Sequence, residues 1–418
     1  MNTTFTFVYE LFQITVFALL ALPTLYIFIF AFAGLFYRQG KSPLNPTLKK
    51  IAVLIPGYKE DEVIIGVAKD AIRQEYPKEH VDIIIIADSF QPQTLESLKA
   101  LPVRVIEVQF EKSTKSKALN AAFAKLPDDY DLAVVLDADN LMAPGFLGKI
   151  NAAFESDRKA VQGHRTAKNL DSSLAVLDAI SEEINNHIFR KGHRVLGLSS
   201  AIIGSGMAFR YDYFKKMMAA VTAVGGFDKE IELKMLKEGH RIDYLDDALV
   251  YDEKVQKAAA FSNQRRRWLA AQLIYFRKDF GKSLSALFLH GNIDYFDKIL
   301  QFIQPPRILL LGAVLFFGAL FSVLDILMPV FRLTVYLWVF LVAACFITFL
   351  FSVPSKYYRW QTLSALGTIP KGMLLMFGSL LKVRGANNQF LHTRHNAVSH
   401  VHKKTGNPLI AGQDEDRY

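Results

Sequence analysis

Two carboxylates one residue apart, Asp137 and Asp139, close an uncharged apolar run in the stretch DLAVVLDADN, residues 131–140. Leu132 to Leu136 is aliphatic throughout, the pattern of a short strand covered on both faces, and the aspartates then fall at its C-terminal end. In an open α/β sheet that edge is where ligands bind. Carboxylates held there by rigid backbone suit a hard divalent cation, Mg²⁺ or Mn²⁺, that also grips phosphate oxygens. An Asp-x-Asp after a strand also caps helices and closes turns, so the pair alone leaves both readings open. Lys112, Lys115 and Lys117 precede a helix in EKSTKSKALN, as a phosphate contact or as a solvated basic loop. In GSGMAFR, Gly204 and Gly206 flank Ser205, which permits close backbone approach to a ligand or an ordinary turn.

The elements that must position these groups alternate along the chain. Ile51 to Ile55 reads as a strand stopped by Pro56 and Gly57, followed by a loop with Tyr58, Glu60 and Asp61 and a helix from about Glu62. A second strand, VDIIIIADS, ends in Asp88, and a third spans Val103 to Val108. Strand, helix, strand with short connections is a βαβ unit, which again delivers polar residues to the C-terminal edge. VQGHRTAKN supplies Gln162 and Arg165, and residues 169–190 read as a structural helix with Leu174, Leu177, Ile180, Ile184 and Ile188 near one face.

Composition sets the frame. The chain has 418 residues, is 51% hydrophobic with 33 Phe, yet 21% of its residues are charged. This is too apolar for an ordinary soluble enzyme and still leaves room for a soluble domain. The formal net charge of +9 could serve nucleic acid. The basic residues instead cluster beside hydrophobic runs and in the segment QRRRW, so an anionic membrane face and a pyrophosphate are the expected partners, and no nucleic acid. Cys345 is the single cysteine, which excludes an intramolecular disulfide and a cysteine-rich metal site.

IPGYKE, the Asp88 strand end, KSKALN, LDADN, GSGMAFR, FDKEIEL and QRRRW follow one another in the order and approximate spacing of inverting family 2 glycosyltransferases. Over about residues 50–270 the chain resembles their membrane-integrated branch, with the cellulose, chitin-oligosaccharide and hyaluronan synthases. The resemblance implies an α/β domain of the GT-A type, Rossmann-like with a mixed sheet, inserted between transmembrane helices. It also implies a UDP-sugar donor. Asp88 would read the uracil, Pro56, Tyr58 and Glu60 would line the nucleoside pocket, and Lys117 would lie near the nucleotide. Asp137 and Asp139 would hold the metal, Asp139 as direct ligand, to neutralise the diphosphate that departs. Gly204, Ser205 and Gly206 would form the floor of the donor-sugar and acceptor site. An inverting transfer needs a carboxylate to take the acceptor proton. Alignment on Ile231-Glu232-Leu233 puts Glu230 in that role, where the family has aspartate; Asp228 is the second candidate. Arg267 would steady the pyrophosphate and Trp268 would stack on an acceptor sugar.

Residues 14–37 are uncharged and long enough to cross a bilayer, which takes about 20 apolar residues. A cleaved signal peptide is the rival reading, but no basic residue precedes the run. Basic residues follow it, so residues 1–13 are expected outside and the transferase domain, 50–268, in the cytoplasm. Interfacial helices over 269–305, a hairpin of spans at 308–324 and 333–355, and a cytoplasmic tail over 382–418 complete the expectation for a multi-pass plasma-membrane protein. The stretch 360–381, interrupted by Pro370 and Lys371, reads as interfacial or re-entrant; a true fourth span would export the tail. Phe390 to Arg394 faintly resembles a gating-loop motif of the same family. The expected function is transfer from a UDP-sugar to a growing glycan, with partner subunits for export or polymerisation. Single addition to a lipid or lipid-linked acceptor is the alternative, and a catalytically silent membrane scaffold the remote one.

Overall fold

A computed structural model describes residues 3–383, apart from 41–42, 44, 222, 224, 257 and 328–331. The Phe390–Arg394 motif and most of the tail lie outside the described residues. The apolar runs of the first half become one eight-stranded mixed sheet. In chain order its strands are β1 (Ile51–Tyr58), β2 (Val81–Asp88), β3 (Arg104–Val108), β4 (Leu132–Val135), β5 (Leu141–Met142), β6 (Ala160–Ala167), β7 (Met207–Arg210) and β8 (Ile242–Asp252). Their spatial order is β3-β2-β1-β4-β7-β6-β8-β5. β3, β2, β1 and β4 run parallel, whereas β7 is antiparallel to β4 and to β6.

Parallel strands must be covered on both faces, and here both faces carry a core. Ile51, Val53, Ile55 and Val134 point to one, and Ala52, Leu54, Ala133 and Val135 to the other. The register pairs Tyr58 with Asp88, and Leu54 with Val135, so β1, β2 and β4 end along one edge. That is the edge at which the carboxylates emerge. β6 carries a bulge between Gly163 and His164. A Cβ on Gly163 would press on the carbonyls of Ala248 and Gly206, so only glycine lets β6 pass this close to the loop before β7.

The membrane-type segments form α1 (Thr3–Gly34), α12 (Arg307–Leu327) and α13 (Arg332–Ser352); between them lie α2 (Ile64–Ile72), α3 (Pro92–Lys99), α4 (Lys115–Lys125), α5 (Phe146–Ala153), α6 (Ser173–Asn186), α7 (His193–Val195), α8 (Tyr211–Ala219), α9 (Phe227–Lys237), α10 (Ala258–His290) and α11 (Ile293–Ile303). Stretches Thr6–Gly34, Arg307–Leu327 and Thr334–Ser352 are long and apolar enough to cross a bilayer. α1 begins well before residue 14, because its early polar groups are satisfied within the helix bundle. Tyr9 and Gln13 donate to Asp325 at 2.7 and 2.8 Å. The 360–381 stretch divides into α14 (Trp360–Leu366) and α15 (Ile369–Leu381). At ~1.5 Å per residue neither approaches a ~30 Å hydrocarbon layer.

α1 does not stand apart from the domain. A π-helical turn, His187–Gly192, follows α6 (Ser173–Asn186), and His187 meets the Ala31 carbonyl of α1 at 2.8 Å. A side chain at Gly192 would overlap the Phe30 carbonyl. α10 (Ala258–His290) is one 33-residue helix, so QRRRW lies within it rather than ahead of the interfacial region, and α11 (Ile293–Ile303) folds back on it.

Candidate active site

The strand ends open into a cleft of about 510 Å³. Pro56, Tyr58 and Glu60 from the end of β1 and Asp88 from the end of β2 line one part of it, Asp137 and Asp139 the middle, and Gln264, Arg267 and Trp268 of α10 the roof. Asp88 is buried and accepts a 3.0 Å bond from the Ser89 hydroxyl. Lys59 and Ser89, the residues just past β1 and β2, both hold left-handed backbone, φ 54° and 59°. For a non-glycine residue that conformation costs about 1–2 kcal/mol, and here it bends both chains sharply at the ligand edge. The Lys59 amide donates to the Asp88 carbonyl at 3.1 Å and ties the two bends together.

The two aspartates differ in surroundings. Asp139 is 3% exposed, and its oxygens accept from Asn140 Nδ2 at 3.1 Å and from the Glu253 amide at 3.2 Å. Asp137 is more open and receives the Lys115 ammonium, which also reaches the Gly204 carbonyl at 2.8 Å. Ser205 holds this corner from beneath: its hydroxyl donates to Asn140 and accepts from the Asp137 amide at 2.9 Å. Gln162 pins the glycine loop, donating to the carbonyls of Ser205 and Gly206 at 3.0 and 3.1 Å while accepting from Ile203 at 3.1 Å. Gly204 and Gly206 take φ of 80° and 61°, which explains glycine at both positions.

This donor set fits a divalent cation. Two carboxylates share one rim, and the ammonium of Lys115 already rests on Asp137 where positive charge is favoured. Among the described residues no group of three or more His, Cys, Asp or Glu side chains is arranged to hold a metal ion by itself. The remaining positions would fall to water and phosphate oxygens, as Mg²⁺ and Mn²⁺ sites commonly arrange.

Behind the aspartates lies a buried lattice of opposite charges. Arg165 makes two 3.0 Å bonds to Glu182 and stands 3.6 Å from Asp252 and 3.9 Å from Asp137. Lys254, almost wholly buried, reaches Glu182 at 2.6 Å and Asp252 at 2.8 Å. Burial alone would push the Glu182 carboxyl up; Arg165 and Lys254 overcome that and hold it well below the usual carboxylate range. The same cations hold Asp252 low against its burial. Glu182, Asp252 and Lys254 are not singled out by the sequence motifs; only Glu182 has a local signal, in α6, where Asp178 and Glu182 repeat at i, i+4 away from the apolar stripe.

A second cleft adjoins the first and shares Lys115, Asp137, Arg165, Arg267 and Trp268 with it. α9 (Phe227–Lys237) presents Asp228, Lys229 and Glu232 to this cleft. Glu230 is not among its lining residues. It pairs with Lys234 at 3.2 Å and lies against the Tyr275 hydroxyl, because residues two apart on a helix point to nearly opposite sides. Glu232 is paired with Lys298 of α11 at 2.7 Å, and burial pushes its carboxyl up despite that partner. The same helical geometry separates the lysines of KSKALN. α4 (Lys115–Lys125) begins at Lys115, capped by Thr114, and Lys115 faces both clefts. Lys117 lines neither; its ammonium caps the Lys112 carbonyl at 2.9 Å.

The three arginines of QRRRW separate likewise. Arg265 binds Asp178 and lies 4.6 Å from the centroid of Trp268, and Arg266 donates to the Lys382 carbonyl at 3.0 Å. Arg267 lines both clefts, and burial lowers its guanidinium pKa. Trp268, 37% exposed, forms an edge of both. The structure thus gathers Pro56, Tyr58, Glu60, Asp88, Asp137, Asp139, Gly204, Asp228, Arg267 and Trp268 around two joined clefts, with Ser205 and Gly206 just beneath. Glu230 and Lys117 stand aside.

Comparison with known proteins gives matches that bear on the family and the fold. The model of a family described as "Glycosyltransferase like family 2" matches residues 46–271. A probable glycosyltransferase of Bacillus subtilis (strain 168), YdaM, is 25% identical over 231 residues, 53% of this chain and 54% of that protein. A beta-monoglucosyldiacylglycerol synthase of Nostoc sp. is 22% identical over 245 residues, 55% of this chain and 50% of that protein. The chain therefore spans about half the length of the curated relatives it matches. Among solved structures, the mannosyltransferase PcManGT of Pyrobaculum calidifontis, in complex with GDP-Man and Mn²⁺, aligns with a TM-score of 0.50 at 16% identity, over 81% of this chain and 98% of that one, a likeness of fold.

Proposed function

The chain belongs to the glycosyltransferase-like family 2, and from that premise we propose that it moves a sugar, with inversion, from a UDP-sugar to a hydroxyl of a lipid or lipid-linked acceptor at the cytoplasmic face of the plasma membrane. The observation that carries this reading is the junction of the two clefts. One is walled by strand ends suited to a nucleotide, and the other by α10, α11 and α6, with Phe302 and Phe189 among its lining residues. Phe302 lies five residues before the apolar helix α12, so an acceptor arriving from a bilayer would meet the donor where Asp137, Arg267 and Trp268 touch both spaces. The glucosyldiacylglycerol synthase among its relatives supports a lipid acceptor.

In this reading the uracil end of the donor rests among Tyr58, Glu60 and Asp88, and a divalent cation bound at Asp137 and Asp139 would supply charge neutralisation for the leaving diphosphate. Lys115 and Arg267 hold diphosphate oxygens from either side, arginine by its bidentate fork. Asp228, in the adjoining cleft, takes the acceptor proton as the hydroxyl attacks the anomeric carbon. Trp268 offers an apolar face for a sugar ring. That exposed indole also favours a second reading, repeated addition to a growing glycan. Among the described residues three apolar helices are of spanning length, a small number with which to enclose a polymer channel, and this weighs against it.

The test supplies purified protein, reconstituted with total membrane lipid, with a panel of labelled UDP-sugars. A single labelled lipid-soluble product is expected. A ladder on a soluble primer would establish extension instead, and absence of both transfer and UDP-sugar hydrolysis would leave a silent scaffold.

A further inference from the structure

The wall of the second cleft, together with Arg307 just behind it, carries more positive charge than the acids of the cleft neutralise. Arg190 is 1% exposed and lines the cleft, yet its guanidinium donates to neutral oxygens, the Ala201 carbonyl at 3.1 Å and the Asn186 side chain. Arg307, the first residue of α12, is bonded to Asn185 Oδ1 at 2.6 Å and to the Ser181 carbonyl and hydroxyl at 3.1 and 3.2 Å; Asn185 and Ser181 both line the cleft. The carboxylates nearby are committed elsewhere: Asp178 to Arg265, Glu182 to Arg165 and Lys254, and Glu232 to Lys298. Arg307 faces the guanidiniums of Arg265 and Arg190, and Arg190 has to share Glu182 with Arg165 and Lys254; such an excess of buried positive charge is costly, on the order of several kcal/mol, and favours an anion.

We propose that Arg190 and Arg307 form a subsite for the phosphate of the acceptor lipid, so that the acceptor is an anionic, phosphate-bearing amphiphile rather than a neutral one. This rests on the lipid-acceptor reading above and adds the chemistry of its headgroup. Arginine forks match phosphate oxygens in pairs. Arg307 opens the helix α12, so the phosphate would lie at the depth of a headgroup while the hydroxyl beyond it reaches Asp228. Phe189 and Phe302 give the first carbons of the lipid an apolar wall.

Isothermal titration of the purified full chain in neutral detergent tests this with three probes: dioctanoyl phosphatidic acid, dioctanoylglycerol and inorganic phosphate. Phosphatidic acid should bind saturably and at least tenfold more tightly than dioctanoylglycerol, with inorganic phosphate a weak competitor. Arg190→Gln and Arg307→Gln, each checked for retained UDP binding, should weaken phosphatidic acid about tenfold. Equal binding of the two lipids, or unchanged affinity in variants that still bind UDP, overturns the subsite. Competition by inorganic phosphate at equal affinity overturns its assignment to a lipid. If phosphatidic acid binds as expected but no lipid-soluble product forms with total membrane lipid, the subsite stands and the lipid-acceptor reading falls.

Discussion

Asp228 and Glu230 differ by a little over half a helical turn, and that rotation decides which of them meets an acceptor. Asp228 borders the second cleft with Lys229 3.5 Å away, whereas Glu230 is occupied by Lys234. Asp228→Asn is therefore expected to retain UDP binding and lose about a hundredfold or more in transfer rate, the scale of a general base, while Glu230→Gln stays within a few-fold of the parent. The reverse ranking in steady-state transfer assays would return the role to Glu230. Asp139 invites a different experiment, since its burial at the strand end and its paired hydrogen bonds leave it little freedom to adapt. Asp139→Asn should lower Mn²⁺- or Mg²⁺-dependent turnover by roughly two orders of magnitude without a change in fold by circular dichroism. Full activity of the parent protein in EDTA would remove the metal from the scheme.

At the scale of elements, α6 joins the transferase sheet to the apolar helices. Its Glu183 accepts from His164 of β6 at 2.9 Å and from Thr166 at 2.8 Å, and Lys356, just past α13, reaches it at 2.9 Å. Asp246 takes the other His164 nitrogen at 3.0 Å and pairs with Lys191 at 2.7 Å. Burial would lower the His164 pKa, but Glu183 and Asp246 together raise it to about 9. A histidine raised on folding stabilises the fold fully below its unfolded value near 6.5, and that contribution disappears as pH climbs through about 9, on the order of 3 kcal/mol in all. Thermal unfolding of the detergent-solubilised protein should accordingly show a melting temperature that falls between pH 6.5 and 9. His164→Gln should flatten that slope; an unchanged slope would show that the proton is bound elsewhere.

For the whole molecule, the joined clefts lie between a nucleotide-type sheet edge and helices that lead into apolar segments. The expected topology puts the N-terminus outside, the transferase domain inside, and the hairpin α12–α13 returning the chain to the inside. Single cysteines introduced at positions 5, 200 and 410, with Cys345 replaced by serine, report it through a membrane-impermeant maleimide. Position 5 should label in intact cells, and positions 200 and 410 only after permeabilisation. Labelling of position 410 from outside would require a fourth crossing after α13. Such a crossing would have to use more chain than α15, whose 13 residues are too few.

Features set by neighbouring residues were legible in the sequence. Aliphatic runs fixed the places of β1, β2 and β4, and the side-by-side parallel register that follows put Tyr58, Asp88 and Asp137 on one edge. Helices long and apolar enough to cross a bilayer followed from length and hydropathy, and Gly204 and Gly206 from the backbone that close packing requires. Tertiary structure alone decided the rest, because each choice depends on the rotational phase of a helix or on groups far apart in the chain. Lys115 rather than Lys117, and Asp228 rather than Glu230, face the clefts through the angles at which α4 and α9 settle on the sheet. The lattice of Arg165, Glu182, Asp252 and Lys254 joins β6, α6 and the end of β8, and no local pattern ties an acid on an amphipathic helix to a lysine 72 residues later. Arg190 and Arg307 come together for the same reason: an excess of buried positive charge is a property of packed space, which the order of residues does not display.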